Sequence, residues 1–368
     1  MEDMERARGK EQVSLSKSGG NLGLTVSLIR LVYSWVILDQ EICLFQDSIS
    51  TLFTSSTDFN TPVPSPDAIF HTNSAEKWAQ ELDKSSRTNP SSPSLREYLK
   101  RFRETENVNE LRDLPSIVIR LVLCYIQMLV MQIRVNITDT SCGGKSFRAV
   151  LVSVRLDEAR DLLQKWYALV KCKIIEEACP TIRAAMILYH LIVLNTLVSF
   201  PEIERLAREE NAMPSDESSY GKRPHHLEDT QHIYFHCGQI LGIIRSTPEH
   251  ERPPWWPGAI YRVALIAWAN SMVCQHMDWS SAENSRKNLQ VVVLDTLLAD
   301  HPLAEAYLSK KEGIPMFSDN SGITVSLKVP GLVLAHCANF LGTNPQTSFI
   351  KGIRQKLLSL IERWKWIE

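Results

Sequence analysis

LIRLVYSWVILDQEICLFQDSIS, residues Leu28 to Ser50, is the stretch from which the fold can be read. Its apolar residues fall at helical spacing, at Leu28, Leu31, Val32, Trp35, Leu38, Ile42 and Phe45. This spacing is typical of one face of an α-helix. Arg30 and the run Asp39 to Glu41 interrupt the apolar residues, which argues against a membrane span and against a strand. The stretch therefore predicts a long helix, from about Leu24 to Phe45.

A proline-rich segment follows this helix. Pro62, Pro64 and Pro66 stand at alternate positions, and each proline restricts the preceding residue to extended conformations. We expect residues 47–72 to form an ordered strap on the surface. Ser74 is then a suitable N-cap for a short helix that contains Trp78.

This order of elements resembles the fungal-specific transcription factor regulatory domain, the middle region of many zinc-finger regulators in fungi. In that family a Trp-bearing helix with a central Asp and a Leu-Phe end leads into a D-x-x-x-P-x-P turn and an S-A-x-x-W helix start. The matching residues here are Arg30, Trp35, Asp39, Leu44-Phe45, Asp58, Pro62, Pro64 and Ser74 through Trp78.

Three later segments extend the resemblance to about Met277. Tyr189-His190, followed by Leu194, is similar to the family's Tyr-His pair within a long apolar helix. The run from His236 to Leu241 resembles its H-A-x-x-I/L-L helix. Pro253-Pro254-Trp255-Trp256, leading into Ile260–Trp268, resembles its P-x-W and Y-x-A-x-L-x-x-W segment.

The resemblance implies a nuclear, non-enzymatic regulator of transcription that acts through protein partners or small molecules. Fungal biosynthetic gene clusters often carry such regulators, so control of a cluster is an expectation from the family. The zinc cluster or Cys₂His₂ fingers of the family have no counterpart here, and neither do the helices expected before Leu28. We therefore expect DNA contact only indirectly or through a missing N-terminal module, and expect a full-length regulator or co-regulators as partners.

Composition agrees with an intracellular helical domain. The 368 residues are 44% hydrophobic and 22% charged, and the net charge of −2 is unlike that of a chain whose main task is to bind nucleic acid. The eight cysteines are scattered without a Cys-x-x-Cys pair, and the chain begins without a basic and then apolar leader. Ile117–Ile133 and Ala184–Phe200 are the most apolar segments, but polar residues interrupt both, so we expect buried helices and no membrane contact.

Helical patterns run through most of the chain and predict an all-α fold: one large domain of packed antiparallel helices, with the Pro-rich strap on its surface. We expect a disordered leader at 1–23 and a regulatory domain at 24–368, family-like over 28–277. Val291–Leu298 favours helix, and the alternating run Ile323–Val329 indicates a small hairpin or an irregular loop. The helices expected after the strap are Leu95–Thr105, Asn109–Val135 with a kink at Pro115, Leu156–Cys172, Pro180–Phe200, Pro201–Glu210, His232–Arg245, Ala259–Met277 and Phe349–Trp366.

Metal binding is not expected, although several Cys and His residues stand close together. Adjacent helical residues point about 100° apart, so His236 with Cys237 does not form a ligand pair, and Cys274 with His276 is equally weak. Cys172 and Cys179 would share a helical face only if that helix were continuous, and Pro180 argues for a break there. His232 and His236 share a helical face, and a third ligand would have to come from Glu228 or Asp229, near His225 and His226.

The sequence also lacks a catalytic or cofactor motif. Gly143-Gly144-Lys145-Ser146 ends like a P-loop, but Asp139 replaces the first glycine and no strand leads into it. No Gly-x-Ser-x-Gly, His-Glu-x-x-His or Asp-Asp-x-x-Asp/Glu sequence occurs. Asp157-Glu158 and Glu209-Glu210 are the closest approach to an acidic metal motif, and both read as charged helix faces. A helical enzyme with a bundle active site, and a truncated regulator that acts only as a protein-interaction partner, remain the alternatives.

Two surface features stay open. Trp255-Trp256, framed by prolines, is either a recognition surface or a cap over the core. The basic runs Lys100–Arg103 and Lys222-Arg223-Pro224 are either import signals or solvated segments.

Overall fold

A computed structural model describes residues 27–50, 60–64, 74, 77, 80, 93–138, 145–176, 179–208, 229–278, 290–319, 321–343 and 347–364. Over these residues the chain is predominantly helical, with eleven α-helices and one three-stranded sheet. The all-α prediction is confirmed, and the sheet is an addition to it. Two compact units divide the chain, Met1–Ala149 with Gln164–Lys173, and Val150–Leu163 with Ile174–Glu368. The boundaries 1–23 and 24–368 stay predictions.

Helices α1 to α4 supply most of the first unit. Helix α1 covers residues 27–46, α2 Leu95–Glu104, α3 Ser116–Thr138 and α4 Lys145–Glu176, and the last of these contributes residues to both units. A capping box at Ser94 begins α2, since its hydroxyl accepts from the Glu97 N–H while the Glu97 carboxylate accepts from the Ser94 N–H.

The interval before α3 departs from the expected continuous helix Asn109–Val135. A 3₁₀ turn covers Val108–Leu111, and α3 begins only at Ser116. Pro115 has no backbone N–H to donate and disfavours helical geometry at Leu114, so the helix starts after it instead of bending through it.

Polar groups connect α1 to its own unit. The Arg120 guanidinium, on a residue 3% exposed, lies 3.1 Å from the Glu41 carboxylate, and Gln127 Nε2 donates to the Gln40 carbonyl over 2.6 Å. Arg120 and Gln127 lie on α3, so the Gln40–Glu41 turn of α1 is held against that helix.

The described part of the Pro-rich strap, residues 60–64, lies against α1 and the start of α2. Val63 is buried, its N–H donates to the Pro93 carbonyl, and Pro62 forms an isolated antiparallel bridge with Ser94. The Thr61 carbonyl accepts from the Tyr33 hydroxyl of α1 over 2.8 Å. Lys77 donates its N–H to Ser74 Oγ, as an N-cap at Ser74 requires.

Helices α5 to α11 and the sheet form the second unit. The helix α5 spans Pro180–Leu197, α6 Phe200–Arg208, α7 Thr230–Ser246 and α8 Trp256–Asp278, followed by α9 Pro302–Lys310, α10 Pro330–Gly342 and α11 Ser348–Trp364. Helix α7 packs on α5 and α8, while α8 also packs on α6, α10 and α11. The fully buried Trp268 of α8 meets Trp364 of α11 edge to face, with ring centroids 5.3 Å apart.

The sheet corrects one prediction. Val291–Leu298 is not helical: β1, Val291–Val293, pairs in parallel with β2, Ile314–Ser318, and a turn follows at Leu294. Three β-branched valines suit a strand, and the partner strand lies too far along the chain for local periodicity to reveal it. Of the two alternatives for Ile323–Val329, a hairpin or an irregular loop, the hairpin forms: β3, Thr324–Ser326, pairs antiparallel with β2.

Two helices, Ser116–Val135 and Pro180–Leu197, have the length and apolar composition of a membrane span, and 72% of each such window is buried inside the protein. A buried core helix of a soluble protein has the same properties. The expected absence of membrane contact stays a prediction.

Candidate functional site

A buried pair of histidines is the most distinctive polar contact of the second unit. His190 on α5 and His236 on α7 bring their Nδ1 atoms to 2.8 Å, and the two residues are 2% and 8% exposed. One Nδ1 must donate and the other accept, so the rings adopt different tautomers. The aromatic rings of Tyr189 and Phe235 stand edge-on to the pair, with centroids 5.0 and 5.6 Å from those of His190 and His236.

Burial keeps both imidazoles neutral. Desolvation, reinforced by the nearby His232, lowers the pKa of His236 from 6.5 to about 3. The same desolvation, with His236 as the second cause, lowers the pKa of His190 well below 6.5. A neutral, ring-packed pair binds α5 to α7 and has the properties of a structural contact.

Sequence reasoning noted both histidines but not their contact. His190 and His236 lie 46 residues apart on separate apolar helices, and only helix packing brings them together. Of the two histidines predicted to share a helical face, His232 is exposed and His236 is buried, and the third-ligand candidate Glu228 lies outside the described residues. Among the residues that the structure describes, no group of three or more His, Cys, Asp or Glu side chains could hold a metal ion.

A second polar cluster fixes the sheet to α7. The Asp295 carboxylate, fully buried, accepts from the backbone N–H and hydroxyl of Ser318, each over 3.0 Å. Arg245 donates to the same carboxylate over 2.6 Å and also to the Ser318 carbonyl. The Gln239 amide donates to the carbonyls of Leu294 and Leu297. Since the carboxylate is fully paired, the cluster supports structure rather than chemistry.

The tryptophan pair is mainly packed. Trp256 is 8% exposed, the Arg252 guanidinium lies 5.3 Å from its ring centroid, and Trp255 is half-buried. Trp256 thus takes the core-capping alternative, which is consistent with its place at the start of α8.

The basic run Lys100–Arg103 lies among carboxylates. Arg101 pairs with Asp113 over 2.9 Å and donates to the Glu110 carbonyl, while Phe102 is buried. A charged open depression of ≈ 640 Å³ beside it is lined by Glu97, Glu104, Glu106 and Glu110 as well as by Lys100 and Arg101. The mixed charge there is a poor match for phosphates.

The remaining candidates lie wholly or partly outside the described residues. Asp157 carries an ordinary surface pair to Arg160 over 3.4 Å, and Cys179 and Cys274 are half-buried. For some of the residues that the sequence analysis named, either the whole residue or its side chain lies outside the part of the chain that the structure describes. These are Asp58, Pro66, Trp78, Asp139, Gly143-Gly144, Lys145-Ser146, Cys172, Glu209-Glu210, Lys222-Arg223-Pro224, His225-His226, Glu228 and His276.

Helix α1 carries a feature that the sequence did not predict. Its apolar residues at helical spacing are exposed in the structure, and we name this surface the α1 stripe. Its members are Leu28 at 59% exposure, Leu31 at 54%, Val32 at 51%, Trp35 at 58%, Leu38 at 44% and Ile42 at 45%. Tyr33, Gln40, Cys43 and Leu44, on the other side of the helix, are buried. Contiguous apolar surface of this kind marks interaction sites on soluble proteins.

Comparison with known proteins gives relatives but no solved structure. No family profile and no solved structure matches the chain. Transcription factor 1 of Elsinoe fawcettii is 35% identical in an alignment of 340 residues that covers 89% of this chain and 35% of that protein. A transcription factor of Zymoseptoria tritici is 33% identical over 362 residues, and Transcription factor PfmaH of Pestalotiopsis fici is 30% identical over 355 residues.

The matches extend over nearly all of this chain but only part of its relatives. The chain spans 37% of the Zymoseptoria protein and 35% of the Pestalotiopsis protein. These matches to fungal transcription factors agree with the resemblance to the fungal transcription factor regulatory domain that the motifs indicated. The chain is therefore homologous, along about nine tenths of its length, to one region of fungal proteins that are named transcription factors.

Proposed function

We propose that the chain regulates transcription as a regulatory region without enzymatic activity, acting in the nucleus through protein partners. The observation that carries this proposal is the 35% identity to a fungal transcription factor across 89% of the chain. The net charge of −2 and the carboxylates around Lys100–Arg103 support DNA contact through a separate module rather than through this region. Control of a biosynthetic gene cluster is part of the same proposal.

The polar interior supports a regulatory rather than a catalytic role. In the described residues the buried polar clusters, His190 with His236 and Asp295 with Arg245, are paired within the protein. Such internally paired groups are typical of structural contacts rather than of a catalytic acid or base.

A tethering experiment tests the proposal. The whole chain is fused to a heterologous DNA-binding module in a fungal host, with a reporter gene downstream of the module's site. We expect reporter transcription to rise or fall at least several-fold relative to the module alone, and a fluorescent fusion to collect in the nucleus. A fusion that is present at normal levels but leaves the reporter unchanged would overturn the proposal.

A further inference from the structure

We propose that the α1 stripe is a self-association surface, through which two copies of the chain pair by packing their α1 helices side by side and in parallel. This inference goes beyond the proposed function, because pairing requires nothing about transcription. It follows from four features of α1: the spacing of the stripe, the support behind it, its flanking charges and its area.

The spacing of the stripe is that of a two-stranded coiled coil. Leu28, Leu31, Trp35, Leu38 and Ile42 follow one another by steps of three, four, three and four residues. This is the 3.5-residue repeat in which apolar a and d positions face a second helix. Leucine takes the d positions at Leu31 and Leu38, and β-branched Ile42 takes one of the a positions, which is part of the combination that favours two strands. The occupant is therefore a helix with the same repeat, and a second α1 has that repeat.

The face of α1 opposite the stripe is already occupied. Tyr33, Gln40 and Leu44 are buried in the first unit, and Val36 and Ile37 pack against Cys124 and Met128 of α3. The helix is held by its contacts to Arg120 and Gln127, so it cannot rotate to bury the stripe without losing them. The apolar side chains are thus presented to solvent by a fixed helix.

The flanking charges permit parallel pairing of two identical helices. In that arrangement each g position lies beside the following e position of the other helix. Ser34 would meet Asp39 of the second copy, and Glu41 would meet Gln46. No like charges oppose each other, and Glu41 and Asp39 already have partners in Arg120 and Ser50.

The area is sufficient for a specific dimer. Six half-exposed large apolar side chains form a patch on the order of 600 Å², the upper end for a single soluble chain. Pairing two such patches would bury roughly 1,200 Å² in total, the size at which specific protein interfaces begin.

Light-scattering mass of the whole chain across a concentration series tests the pairing. We expect twice the 41.8 kDa of one chain for the wild type and a single-chain mass for Leu38→Glu. Leu332→Glu is the matched control, because Leu332 is a helical leucine of similar exposure, 49%, in the second unit, and it should remain dimeric. Far-UV circular dichroism checks that each variant folds.

The orientation has its own readout. In a parallel pair the two Leu38 side chains face each other, so Leu38→Cys should form a disulfide-linked dimer on mild oxidation, whereas Leu332→Cys should not. A single-chain mass for the wild type at every concentration, a dimer that survives Leu38→Glu, or equal cross-linking of the two cysteine variants would overturn the proposal. Capture of another protein's helix by a monomeric chain would overturn it as well.

The outcomes separate this inference from the proposed function. If the chain is dimeric but leaves the tethered reporter unchanged, the proposed transcription role is contradicted and the proposed pairing is supported. If the chain is monomeric but changes reporter output, the proposed pairing is contradicted and the proposed transcription role is supported.

Discussion

Single residues in this protein act mainly through burial. His190 and His236 are ordinary imidazoles that the packing of α5 on α7 makes neutral, and Arg245 and Asp295 are ordinary charges that become a paired contact inside the second unit. Each contact has a measurable consequence, because a buried group affects the free energy of unfolding far more than a solvated one does.

The histidine pair predicts that the protein loses stability in mild acid. Because the folded pKa of His236 is about 3 and the unfolded value is 6.5, the unfolded chain binds the extra proton between these pH values. Stability is therefore full above pH 6.5 and falls as the pH falls through that window. At pH 5 the loss from His236 alone is about 2 kcal/mol relative to pH 7.

Urea unfolding at pH 7 and pH 5 measures this loss. His236→Gln should show a smaller difference between the two pH values than the wild type does. His250→Gln, at a side chain that is 82% exposed, should keep the wild-type difference. Equal differences in the wild type and His236→Gln would contradict the prediction.

The ion pair between Arg245 and Asp295 predicts a large cost for breaking it. Arg245→Ala leaves a fully buried carboxylate without its cation and should lower the free energy of unfolding by about 3 kcal/mol. Arg208→Ala removes a surface pair to Glu204, where the Arg208 side chain is 73% exposed, and should cost less than about 1 kcal/mol. Thermal unfolding compares the two variants, and equal costs would show that burial does not control the strength of this pair.

At the scale of elements, two glycines on α7 allow the turn after β1 to pack closely against this helix. A Cβ at Gly238 would lie 2.8 Å from Leu294, and one at Gly242 would lie 2.3 Å from the Asp295 carbonyl. The absence of side chains at these two positions lets the turn after β1 approach the helix, where Gln239 and Arg245 then hold it.

Gly242→Ala should therefore destabilise the protein even though alanine favours helices. The methyl group collides with backbone that is hydrogen-bonded in place, and we expect a loss of about 1–3 kcal/mol. Gly352→Ala is the matched control on α11, where nothing lies within 4 Å of an added Cβ, and it should gain up to about 1 kcal/mol. Denaturant midpoints measure both variants; a neutral or stabilising Gly242→Ala would contradict the close approach.

Helix α1 shows that a hydrophobic pattern predicts a helix more reliably than it predicts which face of that helix is buried. The stripe from Leu28 to Ile42 predicts a helix correctly, yet it is the exposed face. Tyr33, Gln40 and Leu44 supply a second face that is buried, and the backbone carbonyl of Gln40 accepts a hydrogen bond from Gln127 of α3. With apolar residues on both faces, periodicity does not determine which of them meets the core.

For the whole molecule, the similarity to named transcription factors and the net charge of −2 both support the proposed regulatory role. The relatives named as transcription factors extend well beyond this region, since the chain spans 35% of the Elsinoe protein. The tethering experiment tests whether this region by itself changes transcription, and the light-scattering mass tests whether two copies of it pair.

The sequence by itself determined where most helices lie and to which proteins the chain is related. Apolar periodicity locates α5, α7, α8 and α11 to within a few residues, because that signal is local. Local signals such as Pro302 and Pro330 at helix starts also mark α9 and α10, which pattern reasoning did not identify.

Only the tertiary structure decided the strand at Val291–Val293, the contact of His190 with His236, and the exposed side of α1. Each depends on a partner far along the chain. A local sequence window specifies the surface that an element offers, but the free energy of burying that surface depends on which other element meets it.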